Sequence, residues 1–244
     1  MQIGPSLHRL GPGNVNAYLI EDAGEVTIVD AGLPAFWADL PAELAAMGRT
    51  LDDVRALVLT HGHSDHIGFA ERMRRERAVV PRIHELDAAM ARGEVKPQNQ
   101  QSGKIRLGSL VGFLLFGIRR GALRTTPLAE VATFGDGATL DIPGAPRVIH
   151  VPGHSPGNSA LWFVGHDALL VGDAFATLAV TSGEVGPRIA PFTSEPGEAL
   201  ASLARIEDVE ARWALPGHGE PWTGGVAQAV AAVRDRVASG VAVG

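Results

Sequence analysis

Residues 59–68 of this 244-residue chain read LTHGHSDHIG, which puts His61, His63, Asp65 and His66 within six positions. Imidazole nitrogen together with carboxylate oxygen suits zinc, iron or manganese, whereas calcium and magnesium prefer oxygen donors alone. His61 and His63 are two apart and share one side of an extended chain. Asp65 and His66 are adjacent, so no single regular element aims all four side chains one way. The stretch is expected to be a loop that curls at Gly62 and enters a helix capped by Ser64 or Asp65.

The same pattern recurs three times. RVIHVPGH ends in His154, ALLVGD ends in Asp173, and RWALPGHG carries His218 before its last glycine. Each residue follows an apolar strand-like run and stands near glycine. The tally of five histidines and two aspartates exceeds the four ligands of one tetrahedral zinc. It fits two metals about 3.5–4 Å apart that share a bridging carboxylate and a bridging hydroxide. His8, His84, His150 and His166 do not follow this pattern. His84 is a candidate for the pocket wall, His150 for a satisfied core position and His166 for solvent. Tyr18, the single tyrosine, is assigned to packing.

The elements that must carry these residues are legible as short β-branched runs. NAYLI and VTIVD are joined by EDAGE and read as a hairpin. VRALVLT, immediately before His61, is a continuous apolar run that suits a strand buried on both faces. RVIHVPG, SALWFV, ALLVGD and RWALPG are further strands. Helical patterns fall at Ala35–Met47, His66–Arg77, Gly197–Ile206 and Val226–Ala238, the last with Val226, Val230, Val233 and Val237 on one stripe. This is a mixed α/β chain, read as one domain over 1–244. A helical insertion is expected at about 85–127, containing the polar run KPQNQQSGK and the apolar run LGSLVGFLLFGI, 107–118. The apolar run is read first as a buried helix or a homodimer contact, and second as a lid.

Composition narrows the function classes. The formal net charge of −6 disfavours a nucleic-acid partner, whose binders usually carry a basic face. Arg72, Arg74, Arg75 and Arg77 alternate with Glu71 and Glu76 and read as a solvated helix face. The absence of cysteine excludes disulfides, thiolate ligands and a cysteine nucleophile. No apolar run reaches the ~20 residues of a membrane-spanning helix, and the first residues lack a signal-peptide core, so a cytoplasmic location is expected.

The motif set resembles that of the metallo-β-lactamase superfamily. THGHSDH is similar to its H-x-H-x-D-H signature, PGHSPG, VGD and PGHG follow in the family's order, and VDAG at Val29–Gly32 resembles its early aspartate motif. The resemblance implies an αββα sandwich of two mixed sheets flanked by helices, with the site at one edge of the sheets. It implies that His61, His63 and His154 hold one metal and that Asp65, His66 and His218 hold a second. Asp173 would then bridge the two, and Asp30 would fix the ligand loop. Zinc is the first expectation, with iron or manganese as the other metals the donors suit. Asp173 stands where the best-known zinc β-lactamases place cysteine, which points to the glyoxalase II-like branch.

The activity expected is that of a binuclear metallohydrolase. A hydroxide bridging two divalent ions would attack a small-molecule ester, thioester or lactone, with Asp65 orienting it. Two alternatives follow from the same resemblance: phosphodiester or RNA cleavage by the same metals, and a mononuclear-iron persulfide dioxygenase.

Overall fold

The computed structural model describes residues 1–98 and 104–240; residues 99–103 of the polar run therefore lie outside the described residues. Strands β1 (Gln2–Gly4), β2 (Leu7–Leu10), β3 (Ala17–Asp22), β4 (Glu25–Val29), β5 (Val54–Val58), β6 (Arg82–His84) and β7 (Ala132–Phe134) form one sheet, in sequential order. It is antiparallel from β1 to β4 and parallel from β4 to β7. The expected hairpin is β3–β4. Its two-residue turn has Ala23 at φ 50° and Gly24 at φ 90°, a turn whose twist matches that of paired strands.

A second sheet holds β8 (Arg147–His150), β9 (Ser159–Phe163), β10 (Ala168–Gly172) and, beyond the separate ribbon of β11 (Ala176–Leu178) and β12 (Val185–Arg188), β13 (Trp213–Pro216). Its order is β13-β10-β9-β8. Because β9 is antiparallel to both β8 and β10, while β13 is parallel to β10, strands β8, β10 and β13 run the same way. Their C-terminal ends therefore share one edge. Ligands of open α/β sheets bind at that kind of edge.

Three buried clusters make the layers. Ile20, Val29 and Val58 of the first sheet meet Val148, Leu161, Phe163 and Leu170 of the second. The outer face of the first sheet, with Leu19, Ile28 and Leu57, packs against α1 (Phe36–Ala46) and α2 (Ala70–Arg77) through Phe36, Leu40, Leu44 and Met73. The outer face of the second, with Leu169, Val171 and Ala214, packs against α5 (Pro196–Ser202) and α6 (Val226–Ala238) through Ala199, Val226, Val230 and Val233. The expected αββα sandwich is the fold observed.

Three expectations need correction. The helix placed from His66 begins only at Ala70; its N-cap is Phe69, without a side-chain cap. Residues 63–67 instead make successive turns, with the amides of His66 and Ile67 donating to the His63 carbonyl. Ser64 and Asp65 therefore do not cap a helix, and Asp65 is free to face the cluster. The helix placed over Gly197–Ile206 is α5 followed by a 3₁₀ turn at Leu203–Arg205. The apolar run 107–118 is not a buried helix. It forms α4 (Leu107–Arg119), in which only Gly117 is fully buried. Before it, α3 (Ala88–Ala91) follows a 3₁₀ turn at Glu85–Asp87.

The arginine cluster is a solvated face only in part: Arg72, Arg75 and Glu76 are exposed, whereas Glu71 is buried and Arg74 half-buried. Arg72 pairs with Glu76 at 2.7 Å and Arg74 with Glu71 at 2.8 Å, both within α2. Among the described residues, no helix is long and apolar enough to cross a membrane.

Phe163 is fully buried between the sheets. Phe163→Ala is expected to lower unfolding free energy by about 3–5 kcal/mol, and Phe163→Leu by clearly less. Urea denaturation of the two variants measures the difference.

Candidate metal centre

The strand-end loops bring all seven candidate ligands into one cluster. His61 and His63 follow β5, His154 follows β8, Asp173 follows β10 directly, and His218 follows β13. Three groups have donor atoms within 4.8 Å of one another: His61, His63 and His154; His61, His66 and Asp173; and Asp65, His66 and His218. Asp173 lies between the sets. Its Oδ2 is 3.3 Å from His154 Nε2 and 3.2 Å from His218 Nε2, and its Oδ1 is 3.8 Å from His66 Nε2. His63 Nδ1 and His154 Nε2 are 2.9 Å apart. Asp65 Oδ2 is 3.5 Å from His218 Nε2.

Except in His63, whose Nε2 has no hydrogen-bond partner, the opposite ring nitrogens are held by the protein. His66 Nδ1 donates to Asp30 Oδ2 at 2.9 Å. His61 Nδ1 donates at 3.1 Å to Thr60 Oγ1, which itself donates to Asp30. His154 Nδ1 donates at 3.1 Å to Thr193 Oγ1, whose hydroxyl donates to the Ala190 carbonyl at 2.7 Å. His218 Nδ1 donates to the Asn14 carbonyl at 2.5 Å. Such bonds fix tautomer and ring orientation and leave the other nitrogen as a lone-pair donor. Asp30 does this from the left-handed region, φ 63°, where its amide donates to the Val58 carbonyl. Short polar side chains tolerate that conformation best.

The donor set fits a divalent ion by its own chemistry. His61 Nε2, His66 Nε2 and Asp173 Oδ1 are buried and have no hydrogen-bond partner. A side chain is also excluded from the space beside them: a Cβ on Gly217 would lie 2.4 Å from Asp173 Oδ1 and 2.5 Å from His66 Cε1. Gly62 has a comparable role. A Cβ there would press on the Asp87 carbonyl and Met90 Cβ at 3.1 Å, so close packing, rather than a tight curl, is what the glycine serves.

The charges divide within the cluster. Burial pushes His61 and His63 below the ordinary imidazole value and takes His154 down to about 3. Burial also opposes protonation of His66 and His218. There the neighbouring carboxylates outweigh it: Asp30, Asp173 and Asp65 raise His66 to about 10, and Asp173 and Asp65 raise His218 to about 9. Burial likewise opposes charge on Asp65 and Asp173, yet the surrounding histidines hold both below the usual carboxylate value.

Several residues that position the centre carry no local signal in the sequence. Asp87 is fully buried beyond the ligand loops. Its Oδ2 accepts from the Gly62 amide at 2.9 Å and from Ser155 Oγ at 2.6 Å, and its Oδ1 accepts from the Gly157 amide at 2.6 Å. One carboxylate thus ties the His61–His63 loop to the loop around His154. Asn158 Oδ1 accepts from the Asp173 amide at 3.2 Å. Asn16 Nδ2 donates to the carbonyls of Pro216 and Gly219 at 3.0 and 2.8 Å, and Tyr18 donates to Pro216 at 2.7 Å. Tyr18 therefore does more than pack: it helps hold the turn that carries His218.

The remaining histidines stand apart. His84 does not line the cavity. It caps the turn at Glu85–Asp87 and stacks on His150 with ring centroids 4.4 Å apart. His150, only half-buried, donates to the Pro156 carbonyl at 2.8 Å. His166 is half-buried and donates to the Glu21 carbonyl at 2.9 Å. His8 is buried against Glu43 at 2.5 Å.

Above the cluster is a cavity of about 390 Å³. His63, Asp65, His154, Asp173 and His218 form its polar floor. Leu33, Phe113, Ile118, Val180 and Phe192 are among its apolar walls. Among the described residues, no lysine or arginine lines it.

Residues 10–218 match the family model described as the metallo-beta-lactamase superfamily, and the chain belongs to that family. Proteins of this family bind metal ions. The chain is 28% identical over 208 residues to the probable metallo-hydrolase YybB of Bacillus subtilis, covering 84% of this chain and 81% of that protein. Similar solved structures include two at 29% and 25% identity. The metallo-beta-lactamase family protein TTHA1429 from Thermus thermophilus superposes with a TM-score of 0.69 at 29% identity, covering 96% of this chain and 80% of the other. TTHA1623, in a di-iron-bound form, gives a TM-score of 0.62 at 25% identity, covering 93% and 97%.

The bonds made by Asp87 and the charges on the histidines can each be tested. Asp87→Ala is expected to lower zinc affinity by about 10–100-fold, the range for lost outer partners of metal ligands, with Asp87→Asn retaining more. Competition titration against a chelating dye measures both, and circular dichroism checks that the variants fold. Zinc addition at neutral pH is expected to release protons from His66 and His218, which their raised values keep protonated before the metal arrives. Calorimetry in buffers of different ionisation enthalpy should then give buffer-dependent heats.

Proposed function

We propose that this protein is a binuclear metallohydrolase of the glyoxalase II-like kind, acting on a small carboxylic ester, thioester or lactone with an apolar acyl part. The observation that carries this reading is the cavity: ionisable donors converge on its floor, while its walls are apolar and, among the described residues, free of basic side chains. A phosphodiester or RNA substrate would call for cationic groups beside the scissile phosphate, and among the described residues none lines the cavity, so that alternative is less favoured.

His61, His63 and His154 would hold one divalent ion and Asp65, His66 and His218 a second, with Asp173 shared between them. A pair of ions at such a centre supplies Lewis acidity toward an acyl oxygen and makes water nucleophilic at neutral pH. The di-iron centre of TTHA1623 supports a count of two. Zinc is the metal proposed here, because nitrogen-rich sites with carboxylates suit it, and iron and manganese share that preference.

The chain's own groups do the rest. Asp65 lines the cavity and is held ionised by the histidines around it. It accepts a hydrogen bond from the attacking water and so aims it at the acyl carbon. The apolar walls take the acyl chain, exclude bulk water and strengthen the electrostatics of the floor. Phe113, whose ring centroid is 6.2 Å from that of His218, closes one side. Ser155 is no nucleophile in this scheme, since its hydroxyl is buried and donates to Asp87.

The test is turnover of acyl thioesters, esters, lactones and phosphodiesters by the zinc-loaded protein before and after chelation. Hydrolysis of the acyl substrates, abolished by chelation and restored by zinc, is expected. Asp65→Asn should lower kcat by about 10²-fold or more while leaving the fold intact. Turnover confined to phosphodiesters would overturn the substrate class. One iron per chain with oxygen consumption would overturn hydrolysis itself.

A further inference from the structure

Helix α4 is apolar on two opposite faces. Phe113, Phe116 and Gly117 face inward, with Phe113 and Phe116 packed against the core. Leu107, Val111, Leu114, Leu115 and Ile118 face out, at helical steps of four, three, one and three residues, and form a single continuous stripe. Leu107 is 74% exposed and Leu114 and Ile118 are 53% exposed. Leu123, 83% exposed, extends the same surface beyond the helix. A solvated helix carries polar residues in these positions, so the stripe marks a contact site.

Charge says what kind of contact. Between Glu94 and Glu130 the sequence has six basic residues and no acidic one: Lys96, Lys104, Arg106, Arg119, Arg120 and Arg124. The chain as a whole is at −6. Arg120 is paired with Asp39, and Arg106 is 3.6 Å from Glu184. Arg119 and Arg124 are exposed and form no ion pair among the described residues. An exposed apolar stripe with a basic surround is the arrangement that settles into the headgroup region of an anionic bilayer. A second copy of this chain would have to bring two such basic surrounds together, so self-association through this face is disfavoured.

We propose that α4 and the turn after it form an interfacial docking surface for an anionic phospholipid membrane. The apolar stripe enters the boundary between headgroups and acyl chains, and Arg119 and Arg124 meet the phosphates. Leu114, Ile118 and Leu123 belong both to this surface and to the cavity wall. The mouth of the cavity therefore opens where the lipid would be. Docking stands on the exposed stripe and the charge, and holds whether or not the cavity hydrolyses acyl compounds.

Vesicle flotation tests it. The zinc-loaded protein is mixed with vesicles of phosphatidylcholine alone or of phosphatidylcholine and phosphatidylserine in equal parts. Flotation with the anionic vesicles, weakened by added salt, is expected. The triple variant Leu107→Glu, Val111→Glu, Leu115→Glu changes exposed residues outside the cavity and should reduce the bound fraction by about tenfold or more. Arg119→Glu with Arg124→Glu should reduce binding to anionic vesicles without touching the stripe, which covers the case of a misfolded triple variant. No flotation of the wild-type protein, or flotation of both variants equal to that of the wild type, overturns the proposal. So does a wild-type dimer in sedimentation that the triple variant converts to monomer, because the face would then belong to a second copy.

Discussion

Gathering five imidazoles and two carboxylates in a volume a few ångströms across is costly for any chain. Buried polar groups must be hydrogen-bonded, and buried charges must be paired or must coordinate an ion. The structure meets this on the outer side of four of the five rings, His63 Nε2 being left without a partner. Asp30, Thr60, Thr193 and the Asn14 carbonyl take the Nδ1 protons of His66, His61, His154 and His218. On the inner side it leaves His61 Nε2, His66 Nε2 and Asp173 Oδ1 without partners. That inward deficit is one a cation would relieve.

The two sheets contribute differently to the centre. The first supplies a parallel pair, β4 and β5, whose adjacent ends carry Asp30 and the His61–His66 loop. The second supplies three strands of common direction that end in the segments carrying His154, Asp173 and His218. Contacts within the second sheet and across the gap then lock the loops together. The Gly217 amide donates to Gly172, the Asn16 amide donates to Gly217, and the Ser159 amide donates to Thr60, all at 2.8–2.9 Å. The candidate ligands thus stand at the ends of rigid strands, as a preorganised site requires. The cavity walls, by contrast, come largely from α4 and neighbouring turns. A common type of floor beneath a separately built wall is how one fold comes to serve many substrates.

Local pattern located those candidate donors that are announced twice, by residue type and by the strand and glycine before them. His154, Asp173 and His218 all follow that form, and the strands came out nearly as read. Ser64 and Asp65 misled for a physical reason. Both are good helix caps, but a carboxylate drawn toward His218 cannot also cap, so the chain turns through His66 and Ile67 before the helix starts. Asp87 was invisible for the opposite reason: it lies in a short turn with no periodic signal, and its three partners are 25 to 70 positions away.

The sequence by itself determined the donors, their chemistry, the strands that carry them and the family they signal, because these rest on residue type and short spacing. Only the tertiary structure decided which ring nitrogens are held and which are bare, since hydrogen-bond partners as distant as Asn14 and His218 meet only when the sheets stack. It alone decided the fate of the apolar run 107–118. Hydrophobicity without a polar face reads as burial, yet α4 lies at the edge of the fold, where one face can reach the core and the other is left in the open.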